Sequence, residues 1–172
     1  MGRLIRRYEE LLPERIRVGA GAVLSGAREI LEDLAGRPDV TSVLSTGNTE
    51  AGARVKLRHY GLDRYLAAGA FTDGTTDRIA IARKGWELVT RLLGTPPARD
   101  RSFVIGDTPH DIRCARAIGV RAVAVATGAY SAAQLGAHQP WWVVEQLPPP
   151  GEFAARLGLL GSLVLDTREA AQ

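Results

Sequence analysis

Two kinds of hydrophobic pattern alternate along this chain. Short runs of almost continuous apolar residues predict buried strands, and longer segments with apolar residues every three or four positions predict helices. The predicted strands are residues 40–45, 65–71, 102–105, 121–126 and 141–144. The predicted helices are residues 26–34, 50–60, 77–93, 109–118 and 152–157. This alternation predicts an α/β fold, in which a parallel sheet is covered by helices on both faces.

Capping and turn residues mark the ends of several predicted elements. Ser25 is the expected N-cap of the helix that follows it, and Gly61 is the expected stop of the next helix. Before them, residues 4–16 have helical character but contain Pro13, which predicts a helix followed by a turn. Ligands of parallel sheets bind beyond the carboxyl ends of the strands, so the residues at those ends are the candidates for chemistry.

The composition of the chain narrows its possible functions. The 172 residues are 45% hydrophobic and 24% charged, with a formal net charge of +3, which is ordinary for a globular domain. So small a basic excess, spread along the chain, argues against nucleic acid binding. The single cysteine, Cys114, cannot form an internal disulfide, and no apolar run approaches the roughly 20 residues that span a bilayer. We therefore expect a cytoplasmic protein that is not embedded in a membrane.

The strongest candidate site follows the third predicted strand. Residues 106–111 read Gly-Asp-Thr-Pro-His-Asp, so a helix begins directly after the strand, with Thr108 as a natural N-cap and Pro109 at the first helical position. Asp107 then projects from the carboxyl edge of the sheet, with Asp111 one helical turn away. Two such carboxylates suit Mg²⁺, which prefers oxygen ligands. A capping box with Thr108 explains Asp111 without any ligand.

A second candidate site follows the first predicted strand. Residues 45–49 read Ser-Thr-Gly-Asn-Thr, and a helix begins after them. The Thr46 hydroxyl and the free backbone N–H groups of this turn are suited to hold phosphate oxygens. Ordinary capping by Asn48 or Thr49 explains the same residues without phosphate.

Together these two segments resemble the haloacid dehalogenase superfamily, which consists mostly of magnesium-dependent phosphatases. Thr46 matches the strand-end Ser/Thr of that family, and Asp107 and Asp111 match its acidic motif. The resemblance extends over residues 20–147. It implies a Rossmann-like sheet, Mg²⁺ as the cofactor on the two carboxylates, and phosphoryl transfer through an aspartyl-phosphate. It also implies a set of phosphate-binding residues: Thr46, Gly47 and Asn48.

The family also uses one basic residue to hold phosphate, for which the chain offers Lys56, Arg78 and Lys84. Lys56 is expected on a helix that runs away from the sheet edge, about 9 Å along its axis at 1.5 Å per residue. Arg78 is expected in the first turn of its helix, beside the edge, and its guanidinium can donate two hydrogen bonds to one phosphate. We therefore favour Arg78, with Lys56 second. The alternative is that Arg78 is a solvated surface residue.

The Asp-x-Asp motif of this family does not occur in the 172 residues. In the family its first Asp attacks phosphorus and its second acts as general acid and base. The family places this motif on a central strand, between the Thr46 strand and the Asp107 strand, so we expect an N-terminally truncated core. An empty central position would leave two strand edges with unpaired N–H and C=O groups, and such edges could also support self-association.

The expected organisation has three parts. Residues 1–18 resemble the end of a helical cap, residues 19–160 form the core, and residues 161–172 are a tail. The tail contains Leu-Val-Leu followed by Asp166, an apolar run that ends in Asp as the missing strand does. It could therefore enter the central position, with Asp166 as a substitute nucleophile. Arg168 stands where the second Asp belongs, and a tail packed on the surface is the simpler alternative.

These observations support two functions of different classes. The first is a magnesium-dependent phosphatase of small phosphorylated metabolites by lineage, inactive as this chain because the nucleophile is absent. The second is a non-catalytic remnant that binds phosphate or a partner chain. A response-regulator receiver uses similar residues, but receivers place the acidic cluster first, whereas here Thr46 precedes Asp107.

Overall fold

The structure is a computed structural model that describes residues 2–19, 21–74 and 77–159. Its helices are α1 (Gly2–Val18), α2 (Ala27–Ala35), α3 (Glu50–His59), α4 (Arg78–Leu93), α5 (Pro109–Ala117), α6 (Ala132–Gly136) and α7 (Pro150–Arg156). Its strands are β1 (Val43–Ser45), β2 (Ala68–Ala70), β3 (Phe103–Gly106), β4 (Arg121–Val125) and β5 (Trp142–Val144). Single 3₁₀ turns lie at Asp63–Tyr65 and Arg99–Arg101.

Every pair of neighbouring strands is parallel, as the alternation of strands and helices predicts. β1 pairs with β2, so that Leu44 lies opposite Gly69. β3 pairs with β4, and β4 pairs with β5 on its other side. Within the described residues these are two separate sheets, in the orders β1-β2 and β3-β4-β5. The α/β fold with parallel strands is therefore confirmed.

Two hydrophobic clusters pack on opposite faces of β4. One face carries Val123, which packs with α2 and α7 through a cluster of Ile30, Leu34, Phe153 and Leu157. The other face carries Ala122 and Ala124, which pack with α5 and α6 through Ile112, Ala115 and Leu135. Neighbouring side chains of a strand point to opposite faces, so this arrangement covers both faces of the sheet with helices. α4 extends the second layer, because it contacts β1, β2 and α5.

Two local expectations are corrected, and one short helix is added. The chain does not turn at Pro13, because α1 continues through it. The proline removes one backbone hydrogen bond, and the packing of α1 on α3, which buries Leu12, supports the helix there. Ser25 is not the N-cap of α2. Gly26 occupies that position with φ 79°, and a Cβ on it would lie 3.1 Å from the Cβ of Leu147. α6 was not predicted from the sequence, because its five residues are too few to show a helical period.

Two further observations bear on the sequence expectations. No helix in the described ranges is long and apolar enough to cross a membrane. The expectations for Leu-Val-Leu at residues 163–165, for Asp166 and for Arg168 lie outside the described residues.

Candidate active site

The turn after β1 holds Thr46 in a defined orientation. The N–H of Thr46 donates to the carbonyl of Ala70 at 3.0 Å, which places Thr46 at the carboxyl end of β1. Its hydroxyl oxygen accepts from the backbone N–H of Asn48 at 3.2 Å and from the Asn48 side-chain Nδ2 at 2.9 Å. A hydroxyl has two acceptor positions and one proton to donate. Since both acceptor positions are used, the Thr46 proton is left to donate to a ligand.

Lys56 reaches this turn although its Cα lies well along α3. Its Nζ donates to Asn48 Oδ1 at 3.2 Å and lies 5.9 Å from the centre of the Tyr8 ring. The expectation that helix geometry keeps Lys56 away from the edge is therefore wrong, because the long side chain folds back towards the N-terminus of its helix. Lys56 places a positive charge beside the turn and fixes the orientation of Asn48, which in turn orients Thr46.

Arg78 lies directly against the same turn. Asp77 caps α4 by accepting from the N–H groups of Ile79 at 2.9 Å and Ala80 at 3.2 Å, so Arg78 occupies the first turn of the helix. A Cβ placed on Gly47 would lie 2.6 Å from the guanidinium carbon of Arg78, closer than atoms can approach. The absence of a side chain at residue 47 therefore allows the guanidinium to rest on the backbone beside Thr46. Lys84 forms an ion pair with Asp73 at 2.5 Å.

Asp107 follows β3 directly and contacts the loop after β4. A Cβ on Gly128 would lie 2.2 Å from Asp107 Oδ2 and 3.0 Å from its Cγ, so this carboxylate occupies space that only glycine leaves open. The hydroxyl of the neighbouring Thr127 is buried and has no hydrogen-bond partner among the described residues. Burial of a hydroxyl without a hydrogen-bond partner costs free energy. The position next to Asp107 is therefore suited to a further polar group.

Asp111 serves mainly as a helix cap. Its Oδ2 accepts from the Thr108 N–H at 3.1 Å and from the Thr108 hydroxyl at 2.7 Å. The carboxylate also leans back over Gly106, where a Cβ would lie 2.3 Å from the Asp111 Cγ. The interpretation of Asp111 as a helix cap is therefore confirmed. These contacts also keep its carboxylate close to the end of β3.

The pKa of the Cys114 thiol is affected by charges on both α4 and α5. Burial raises the pKa of its thiol above the ordinary value, and the negative charge of Asp111 raises it further, while the positive charge of Arg78 opposes the rise. Arg78 is thus close enough to act on the helix that carries Asp111.

The structure groups the predicted residues into two half-sites. Thr46, Gly47, Asn48, Lys56 and Arg78 surround the turn after β1. The two carboxylates of Asp107 and Asp111 lie at the end of β3. No described hydrogen bond or ion pair joins Thr46 with Asp107, since their strands belong to separate sheets. α4 connects the halves, because it packs against β1, β2 and α5.

The carboxylates suit Mg²⁺ in kind but are few in number. Mg²⁺ takes oxygen ligands in octahedral geometry and often binds through one or two carboxylates with several waters. One oxygen of Asp111 is already engaged by Thr108. In the part of the chain that the structure describes, no group of three or more His, Cys, Asp or Glu residues is placed to hold a metal ion. Asp107 and Asp111 thus form an incomplete site for this cation.

Comparison with known proteins supports the resemblance seen in the sequence. The sequence profile of the HAD-hydrolase-like family matches residues 78–149, which include Arg78 and both carboxylates. The fold matches a candidate phosphatase from Clostridium difficile with a TM-score of 0.69 at 23% identity, over 91% of this chain and 68% of that protein. Over residues 78–149 the chain is therefore similar to HAD-hydrolase-like proteins. The resemblance inferred from Thr46, Asp107 and Asp111 is therefore confirmed.

Two further proteins are similar to this chain. This chain is 31% identical to the tyrosine-protein kinase PtkA of Mycobacterium tuberculosis over 109 residues. These residues are 62% of this chain. The matched part spans 35% of the length of PtkA, about a third. The fold of this chain also matches that of the candidate HAD-hydrolase YfnB of Bacillus subtilis, with a TM-score of 0.64 at 14% identity. The YfnB structure contains magnesium. That match covers 89% of this chain and 60% of YfnB.

Two residues close to Asp107 were missed at the level of the sequence. Thr127 and Gly128 follow β4 as Thr46 and Gly47 follow β1. The shared Thr-Gly pair directly after an apolar strand was the available signal. Gly128 alone would not have been informative, because only the folded chain shows that Asp107 fills the space beside it.

Proposed function

We propose that this chain binds the phosphate group of a small phosphorylated metabolite, as a member of a lineage of magnesium-dependent phosphatases. The observation that carries the proposal is the position of Arg78, whose guanidinium rests on Gly47 beside the Thr46 hydroxyl. Arginine can donate two parallel hydrogen bonds to phosphate. Lys56 adds a second positive charge at 3.2 Å from Asn48 in the same turn. A doubly negative phosphate would therefore meet two cations and a hydroxyl donor.

Mg²⁺ would bind to Asp107 and Asp111 in this proposal and would neutralise phosphate charge. The type of ligand supports it, as does the position of Asp107 at the carboxyl end of β3. Its affinity is expected to be weak, because the second carboxylate also caps α5. Asp107 would be the principal ligand, since its carboxylate is held against Gly128 at the sheet edge.

We expect these 172 residues to bind phosphate esters without hydrolysing them appreciably. Hydrolysis in this superfamily starts with attack by an Asp-x-Asp motif, and the sequence contains none. Loss of a covalent nucleophile and its acid–base partner lowers catalysis by many orders of magnitude. The same binding residues would then serve a phosphate- or partner-binding protein. Turnover of an aryl phosphate that Asp107→Asn abolishes would contradict this expectation.

A second candidate function is binding of an aromatic phosphate ester such as a tyrosyl phosphate. An apolar cavity of about 600 Å³ adjoins the proposed phosphate position. α1 supplies one wall through Leu4, Tyr8 and Leu11, and the turn supplies the other through Gly47 and Asn48. An apolar wall favours a hydrocarbon or aromatic group over a sugar. The similarity to a tyrosine-protein kinase is consistent with that class of group.

Phosphate binding can be measured directly by calorimetry with inorganic phosphate in the presence of Mg²⁺. We expect Arg78→Gln to weaken binding roughly 10- to 100-fold, because a hydrogen bond to a charged group contributes about 1.5–3 kcal/mol. Arg91→Gln is the matched control, since Arg91 is an exposed arginine in the last turn of the same helix. Equal affinities of Arg78→Gln and Arg91→Gln would overturn the proposal.

The two ester classes can be separated in the same experiment. If the aromatic candidate is correct, phenyl phosphate should bind more tightly than glycerol 3-phosphate, and Leu11→Ser, in the wall of the cavity, should remove the difference. Inorganic phosphate should bind this variant as it binds the parent. Equal affinities for the two esters would favour the general metabolite-binding proposal.

A further inference from the structure

A second cavity lies between the middle of α4 and the C-terminal turn of α5. Its volume is about 440 Å³, which is within the range of small-molecule sites. α4 lines it with Arg83, Trp86 and Glu87, the 3₁₀ turn before β3 with Arg99, and the end of α5 with residues 116–119. We call this cavity the α4–α5 cleft.

The α4–α5 cleft is separate from the phosphate position proposed above. Both helices begin near the carboxyl edge of the sheet and run back towards its amino edge. Trp86 lies about 12 Å along the axis of α4 from Arg78, at 1.5 Å per residue. Arg116 lies about 7.5 Å along α5 from Asp111 by the same measure. A ligand in the cleft would therefore not occupy the position beside Gly47.

Arg99 is held in one orientation by three contacts. Its guanidinium carbon lies 4.6 Å from the centre of the Trp86 ring, and its Nη1 donates to the carbonyl of Ile118, the C-cap of α5. A Cβ on Gly119 would lie 3.2 Å from the same Nη1, so the guanidinium also rests on the backbone there. Stacking uses the face of a guanidinium, whereas its five N–H donors lie around the edge. Donors other than the one that Ile118 engages therefore remain for a ligand.

Two further arginines bring their guanidinium groups to the cleft. Arg116 donates through Nη2 to the carbonyl of His138 at 2.8 Å, which engages one donor and fixes the side chain. Arg83 is exposed and lies on α4, one turn before Trp86. Capping of a helix end explains the bond of Arg99 to α5. It does not explain why Arg83, in the middle of α4, lines the same cavity.

The cleft has an excess of positive charge. Its lining contains three arginines and one carboxylate, that of Glu87, and so has a formal charge of +2. In the part of the chain that the structure describes, none of the three arginines forms an ion pair with Asp or Glu. Side chains that are already held in place lose little freedom when a ligand binds. The cleft is therefore suited to an anion with two negative charges.

We propose that the α4–α5 cleft binds the phosphate group of a small molecule. The donors belong to three separate elements, and a tetrahedral phosphate presents oxygens in several directions, whereas a carboxylate presents them in one plane. Arginine also forms paired hydrogen bonds with phosphate oxygens. The cavity is larger than a phosphate ion, so it has room for an organic group beside Trp86 and Ala117. The proposal is independent of the proposed function, because the two sites share no residue.

Nuclear magnetic resonance of the full chain, titrated with inorganic phosphate, tests the cleft directly. The indole N–H of Trp86 and the amide of Gly119 are the reporters, because Arg99 contacts both residues. We expect both signals to shift and to saturate together in the parent. Absence of a saturable shift at these two positions would overturn the proposal.

Two variants remove one guanidinium each. Arg83→Gln and Arg116→Gln should each weaken phosphate binding at the cleft by about tenfold or more, because each removes a charged donor. Arg91→Gln is the matched control, since Arg91 lies in the last turn of α4 and does not line the cleft. Equal affinities of all three variants would contradict the proposal. Arg83→Gln removes no described hydrogen bond, so it decides the question even if Arg116→Gln does not fold.

Further titrations separate the two sites and the class of anion. Arg78→Gln should leave the shifts of Trp86 and Gly119 unchanged. Their loss in this variant would show that they report binding beside Gly47, and would overturn the proposal. Tighter binding of malonate, a dicarboxylate, than of phosphate at the two reporters would also overturn it. Glycerol 3-phosphate that binds more tightly than inorganic phosphate would identify an organic phosphate as the ligand, and equal affinities would identify the free ion.

Discussion

Gly47→Ala should weaken phosphate binding while leaving the fold almost unchanged. The added methyl group would lie 2.6 Å from the Cζ of Arg78 and 2.8 Å from its Nη1. These atoms are the far end of a flexible, exposed side chain, so the guanidinium would move and the backbone would stay. The backbone at Gly47 does not have positive φ, so alanine is tolerated there.

The size of the effect follows from what Arg78 would lose. A charged hydrogen bond contributes about 1.5–3 kcal/mol, and every 1.4 kcal/mol corresponds to a tenfold change in affinity, so binding should weaken about 10- to 100-fold. The free energy of unfolding should change by less than about 1 kcal/mol, because an exposed side chain moves and alanine restricts the unfolded chain. In this variant the phosphate affinity should therefore fall while the free energy of unfolding stays nearly the same.

Calorimetry with inorganic phosphate and thermal unfolding of the same samples would measure both quantities. Gly151→Ala is the matched control, because Gly151 lies in the first turn of α7 with no atom within 4 Å of the added methyl group. It should bind phosphate like the parent and be slightly more stable. The reasoning is refuted if Gly47→Ala retains the parent affinity.

Three further predictions concern α5 and its surroundings. Asp111→Ala removes the acceptor of the Thr108 N–H and should lower the free energy of unfolding by about 1–2 kcal/mol, measured by urea denaturation; an unchanged midpoint would contradict the capping role. The pKa of Cys114 is raised by burial, so the thiol form stabilises the folded state, and stability should fall as pH rises above about 9. Cys114→Ala should lose this part of the pH dependence, and identical unfolding profiles at high pH would refute it. Mg²⁺ should bind more weakly than micromolar in calorimetry and not at all to Asp107→Asn, so tight binding by either protein would contradict an incomplete site.

The candidate site shows which functional residues could be predicted from short segments of the sequence. Thr46 and Asp107 could be recognised because each follows an apolar strand directly, and parallel strands end at a common edge. Arg78 could be favoured because Asp77 and Gly94 define the helix that it begins. Lys56 was ranked second to Arg78 because only the axial rise of its helix was considered. The direction in which a long side chain folds back depends on its neighbours, here Asn48 and Tyr8.

The sequence by itself determined the order of the strands and longer helices, the parallel α/β class and the resemblance to the superfamily. These depend on periodicity, on glycine and proline at element ends, and on short motifs, all of which are local along the chain. Only the tertiary structure decided that Gly47 and Gly128 make room for Arg78 and Asp107, and that the strands form the two sheets β1-β2 and β3-β4-β5 within the described residues. Each of these is a contact between residues that are distant along the chain, and a pattern of neighbouring residues does not record which distant atoms will share the same space.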